Sequence, residues 1–236
     1  MENNIKGDEE HKIKAIAHKN DSLKRLDISF EKHIAKEEYK TSDLLAYWFE
    51  DFSKYHDEEK DFDPATLKIF KRGDIVKVNL GFNIGNELGG LHYCVVMNKY
   101  DNKRSGTLNV IPLSSYKDKK YNPNTCVDLQ SELYDLLLSK YDQKVNEIHN
   151  EMNNLHHIEK TPIYFEKLEI LLKSIEYIQK IQQEILRMKS GSIALVHQMR
   201  VISKQRIFKT PILSNIRLSN ASLDLLDGKV KTLFTK

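Results

Sequence analysis

The sequence predicts an α+β fold, and three observations carry that expectation. Apolar residues recur at helical spacing between Ser22 and Tyr55 and again between Ser131 and Leu186. After Lys71, and again after Ser192, the period changes to two, with β-branched residues alternating with polar ones. The 236 residues are 40% hydrophobic and 30% charged, which excludes collagen-like, wholly disordered and membrane-embedded classes. No apolar run approaches the roughly 20 residues that a membrane span requires. The first ten residues lack the apolar core of a signal peptide. A soluble, cytoplasmic protein that makes no membrane contact is therefore expected.

Taken in order, Leu23, Leu26, Phe30, Ile34, Leu44, Leu45, Trp48, Phe49 and Phe52 predict two helices without an internal glycine or proline. The break is expected near Thr41–Ser42, where either residue can cap the second helix. Pro64 opens a short helix or turn that leads to Lys71. Arg72–Leu80, Tyr93–Met97 and Thr107–Leu113 read as strands. Gly81–Gly90, polar and glycine-rich, reads as a mobile loop between the first two. Leu133, Leu136, Leu137, Tyr141, Val145, Ile148, Met152 and Leu155, then Leu168 through Leu186 after Thr161–Pro162, predict an antiparallel helical hairpin of coiled-coil type with its tip near His156–His157. Strand pattern resumes over 192–207. Leu223, Leu226, Val230 and Leu233 mark a final helix capped by Ser219 or Ser222.

The net charge of +3 hides an asymmetry. Residues 1–70, 71–127, 128–190 and 191–236 carry −5, +5, −3 and +6. Two basic pieces flanked by two acidic ones suggest one basic domain with an acidic N-terminal extension (1–70) and an acidic insertion (128–190). A basic domain suits a polyanion, most simply nucleic acid. Cys94 and Cys126 lie in apolar runs without metal-ligand spacing, so both are expected reduced, with no metal and no cofactor. His149, His156 and His157 cluster near the hairpin tip, but a solvated tip is a poor metal site.

Four blocks then carry a resemblance: Arg72–Val76; the run Ile84–Val96 with its Gly89–Gly90–Leu91–His92 core; Val110–Ser115; and Ser192–Ile207 with its Gln198, Arg200, Lys204, Arg206 pattern. In this order they resemble the PemK/MazF family of toxins. The resemblance implies a small SH3-like β-barrel with a C-terminal helix, here made of 71–127 and 191–236. It also implies a homodimer, metal-independent cleavage of single-stranded RNA through 2′-OH attack to a 2′,3′-cyclic phosphate, and neutralisation by a cognate antitoxin. CcdB-like toxins share the barrel but act by protein contact, so a non-catalytic binding module is the alternative.

Where the family pattern has Arg-Pro after Gly-Gly-x, this chain has His92–Tyr93. His92 is the candidate acid or base, since imidazole titrates near neutrality. Ser114 matches a family hydroxyl able to bond a phosphate oxygen, and Glu87 a family acidic residue in the loop. Arg200, Lys204 and Arg206, on a single strand, would all face one way and suit a phosphate backbone. Gln198 would read a base edge. Residues 43–63 hold eight acidic side chains beside Tyr47, Trp48, Phe49 and Phe52. They resemble the acidic, aromatic-bearing tails of MazE-like antitoxins, which would let them compete with RNA in cis, or they form an N-terminal helical pair that packs on the outside of the barrel.

Overall fold

A computed structural model describes residues 2–115, 121–156, 158–188, 191–208 and 213–235, the first six by their backbone alone. By its internal contacts the chain divides into two units, 1–57 and 58–236.

The first unit is a pair of helices, α1 (Glu2–Ala35) and α2 (Tyr39–Asp57). The first helix starts well before Ser22. Its early turns are held by i,i+3 and i,i+4 pairs, Lys12–Glu9 at 3.3 Å and Lys14–Glu10 at 2.6 Å. It also stops earlier than expected. Glu37 adopts a left-handed φ of 60°, and the Glu38 amide donates back to the His33 carbonyl at 2.9 Å, which terminates α1. Thr41 and Ser42 therefore lie inside α2, their amides donating to the Glu38 carbonyl. Phe30 meets Phe49 edge-on at 6.3 Å, and Trp48 lies 6.0 Å from Phe52, so the aromatic cluster is partly spent within this unit.

The second unit contains a seven-stranded sheet in which every pairing is antiparallel. Its strands are β1 (Ile75–Asn79), β2 (Leu91–Val96), β3 (Thr107–Ser115), β4 (Val127–Asp128), β5 (Ser192–Ala194), β6 (Arg200–Ser203) and β7 (Ile207–Phe208). They run in the order β4-β5-β3-β2-β1-β7, with β6 also on β3. β3 is long enough to pair with β5 through Leu113–Ser115 and with β6 through Thr107–Val110. Such a strand, shared by two parts of a sheet, lets a short meander curl into a barrel-like form.

Alternation along the strands separates two apolar cores. Val76, Val78, Cys94, Val96, Leu108, Val110 and Ile202 fill one. Ile75, Val95, Ile111 and Leu113 face the other, which is closed by helices α3 (Glu132–Leu155), α4 (Pro162–Arg187) and α5 (Asn220–Phe234). α3 and α4 form the expected hairpin. It leaves and re-enters the sheet between neighbours, because β4 pairs with β5 through Val127↔Ala194 and Asp128↔Ile193. The cap of α5 is Ser219, whose hydroxyl accepts from the Ser222 amide at 3.2 Å.

The Arg72–Val76 block is a clamp on the C-terminal segment. Gly73 has φ +85°, and a Cβ there would meet Leu223 and Arg217 at 3.0–3.1 Å. Arg217 donates twice to the buried Asp74 carboxylate, at 2.8 and 2.9 Å. Arg72 reaches Asp227 of α5.

Candidate active site

The run 192–207 is not one strand. Two single 3₁₀ turns, Val196–Gln198 and Lys204–Arg206, divide it into β5, β6 and β7. Of the expected row of three cations, the middle one is taken into the core. Lys204 is 1% exposed and points inward. Its ammonium sits 2.7 Å from the equally buried Asp101 carboxylate and over the Phe70 ring. Lys204 is therefore corrected from a phosphate contact to a buried structural ion. Arg206 remains near the surface, but its Nε donates to the Asn79 carbonyl at 2.8 Å, bracing the end of β1.

His92, Ser114 and Arg200 stand on one face of the sheet. His92 alternates with Cys94 and Val96 and so faces their side of the sheet. Ser114 follows Leu113, which belongs to the other core, and therefore shares the His92 face. Continuing the Cys94↔Pro112 register by two residues sets His92 opposite Ser114. Arg200 pairs with Val110 and so stands on that face as well. All three are half-buried. The arginine's charge is felt at the Cys94 thiol, which burial nonetheless pushes up to about 12, leaving it inert.

One contact sets the chemistry of the imidazole. His92 Nδ1 lies 2.9 Å from the Leu113 carbonyl oxygen. A carbonyl only accepts, so Nδ1 carries the proton and Nε2 of the neutral ring keeps its lone pair. The ring is oriented by backbone.

Gln198 does not have a free amide. Its Oε1 accepts from the Leu88 amide at 3.2 Å and from Arg200 Nη2 at 2.8 Å, while its Nε2 donates to the Asn86 carbonyl at 3.1 Å. It ties the glycine-rich loop to the arginine. The loop is consequently held rather than loose: Asn83 bridges the Leu80 and Leu88 carbonyls, and Gly90 N–H donates to the Gly81 carbonyl at 2.7 Å. A Cβ on Gly89 would fall 2.6 Å from the Gly81 oxygen, so only glycine fits. Glu87 stands exposed on this loop, within the stretch that Gln198 pins.

The residue after His92 has a task that the sequence did not reveal. Tyr93 faces the opposite side, where its hydroxyl donates to Glu184 of α4, and Lys77 of β1 reaches the same carboxylate at 2.5 Å. The ammonium of Lys77 also lies 5.4 Å from the Tyr93 ring. Burial raises the phenol far above its ordinary range, and the Glu184 bond adds to that. For Glu184, burial acts upward, but the bonds from Lys77 and Tyr93 outweigh it and hold the carboxyl below its ordinary 4.5. A depressed folded-state pKa contributes stability that is present above about 4.5 and lost as pH falls through the lower value. Glu184→Gln is therefore expected to narrow the difference in thermal midpoint between pH 7 and pH 3. An unchanged difference would remove Glu184 from the account.

Among the described residues no group of three or more His, Cys, Asp or Glu is arranged to hold a metal. His156 is exposed beyond the end of α3, and His157 lies outside the described residues. No helix there is long and apolar enough to cross a membrane.

Residues 71–147 match the family model described as the PemK-like, MazF-like toxin of type II toxin–antitoxin systems. The match spans β1 to β4 and the first part of α3, and it contains three of the four blocks that carry the resemblance. No curated protein matches the chain.

Proposed function

We propose that the chain, whose residues 71–147 match the PemK-like, MazF-like toxin model, is a toxin that cleaves single-stranded RNA without a metal and is held in check by a cognate antitoxin. The observation that carries this reading is the Nδ1–H bond from His92 to the Leu113 carbonyl. It supports a neutral imidazole whose Nε2 takes the proton of a ribose 2′-OH as that oxygen attacks the adjacent phosphorus. The 5′-oxygen leaves, a 2′,3′-cyclic phosphate forms, and a general acid returns a proton to the leaving group. The Ser114 hydroxyl donates to a non-bridging oxygen. Arg200 supplies the fixed positive charge that the pentacoordinate transition state requires.

Here the imidazole takes the motif position at which the family carries its arginine, and β6 provides the cation. Gln198 acts as a positioning residue for Arg200 rather than as a reader of bases. Glu87 and Arg206 are assigned to RNA binding beside them.

Incubation of the purified chain with a long single-stranded RNA in EDTA, with mapping of 5′ ends and of cyclic-phosphate 3′ ends, tests the proposal. Intact RNA would overturn it in favour of a protein-binding toxin. Binding gives a second test. Arg200→Glu is expected to weaken RNA binding at low salt and to flatten the log–log salt dependence by about 0.7 per lost phosphate contact. An equal slope would mean that Arg200 meets no phosphate.

A further inference from the structure

The hairpin has a face that the sheet does not use. On α3, Leu136 and Leu137 pack towards the helix-covered core, as do Tyr177, Ile181 and Ile185 on α4. At 100° per residue, Leu138, Val145 and Met152 stand about 160–180° from Leu136, and Phe165, Leu172 and Leu186 about 140–180° from Ile181. These six side chains belong to none of the described cores and are 36 to 71% exposed. They form two stripes at seven-residue spacing, with Gln179 filling the remaining position of the second. Seven-residue spacing of apolar side chains along an exposed helix face is the pattern of a coiled-coil seam.

Charge is kept to the margins of this face. The helical wheel also places Tyr134, His149 and Gln183 on it, and Asp142, Glu169, Glu176 and Arg187 stand at its margins. Of the paired charges, Lys144 with Glu147 and Lys140 on the Ser214 carbonyl lie elsewhere, and Lys173 with Glu169 lies along one margin. Depletion of charge around apolar side chains distinguishes the centre of an interface from ordinary surface.

The stripes also share one centre of symmetry. Leu138 and Met152 are equidistant from Val145. In the second stripe Phe165 and Leu186, and likewise Leu172 and Gln179, are equidistant from the 175–176 midpoint. Leu137 packs in one core with Ile181, and Ile148 in another with Leu171, which sets Val145 level with residue 174, close to that midpoint. A single two-fold axis crossing the hairpin there would lay each stripe on its own antiparallel copy.

We propose that this face binds the same face of a second copy of the chain, forming an antiparallel four-helix bundle in which Val145 meets Val145 of the other copy. A 24-residue helix is about 36 Å long, and two helices side by side are about 18–20 Å wide. The pair of faces then covers roughly 1,300 Å² in total, above the approximately 1,000 Å² that a specific interface needs. This assignment is independent of RNA cleavage.

Sedimentation equilibrium of the full chain at micromolar concentration tests it. Val145→Glu places two carboxylates against each other on the axis and is expected to halve the mass of the wild-type assembly. Leu172→Glu, at a second exposed position, is expected to do the same. Ile170→Glu, on the opposite flank, is expected to leave the mass unchanged. Mixing Val145→Glu with Val145→Lys is expected to restore the wild-type mass, since opposite charges then meet. The proposal is overturned by a monomeric wild type, which would leave the face to a different protein. It is equally overturned by glutamate variants of wild-type mass, or by a mixture no heavier than its components.

Discussion

His92→Ala is expected to lower the rate of RNA cleavage by about 10²- to 10⁴-fold, the usual worth of a positioned general acid or base. His149→Ala and His197→Ala are expected to stay near wild type. His149 lies on the hairpin, and His197 is exposed, with Nδ1 3.2 Å from the Thr125 carbonyl on the far side of β5. The folded state is expected to tolerate the change, because the Leu113 carbonyl lies near a strand end where water can replace the imidazole. A pH–rate profile separates catalysis from positioning. Loss of the ascending limb in His92→Ala marks the proton acceptor, whereas a uniform drop with the limb retained would mean that the ring only orders its neighbours. Equal activity of the variant and the wild type would sink the assignment.

The second large effect is on stability. Lys204→Met is expected to cost about 3–5 kcal/mol, because it strands the Asp101 carboxylate, itself without exposed side-chain surface, in a core where among the described residues only the Phe70 amide, at 2.8 Å, still bonds it. Urea unfolding read by fluorescence gives the shift in midpoint. Replacing both partners, Lys204→Met with Asp101→Leu, is expected to recover most of the loss, since two apolar groups leave no uncompensated charge. The salt dependence of RNA binding is expected to be the same in this double variant as in the wild type. A flattened slope would return Lys204 to phosphate contact.

Arg200 and Lys204 stand in one stretch and behave oppositely, and the reason is packing. Both keep the period-two face of Ile202, and the Lys204 amide still donates to the Gly106 carbonyl at 2.8 Å, continuing the ladder with β3. At the Lys204 end that face is covered by Phe70 and Asp101 and is core, whereas Arg200 at the other end of β6 stays half-buried. Nothing in the local pattern distinguishes the covered end of the strand from the open one.

The sequence alone determined the α+β class, both helices of the hairpin with their starts near Ser131 and Thr161, the first three strands, and a serine cap on the last helix at Ser219 or Ser222. All of these rest on contacts within a few residues or on a period that repeats along one element. Only the tertiary structure decided three other matters. Lys204 is buried by Asp101, which is remote in sequence; the amide of Gln198 is consumed by the loop at Asn86 and Leu88; and Tyr93 belongs to a cluster with Lys77 and Glu184 on the hairpin. A side chain's donors and acceptors are the same in any sequence, but which partner desolvates them depends on which distant segments the sheet brings into register.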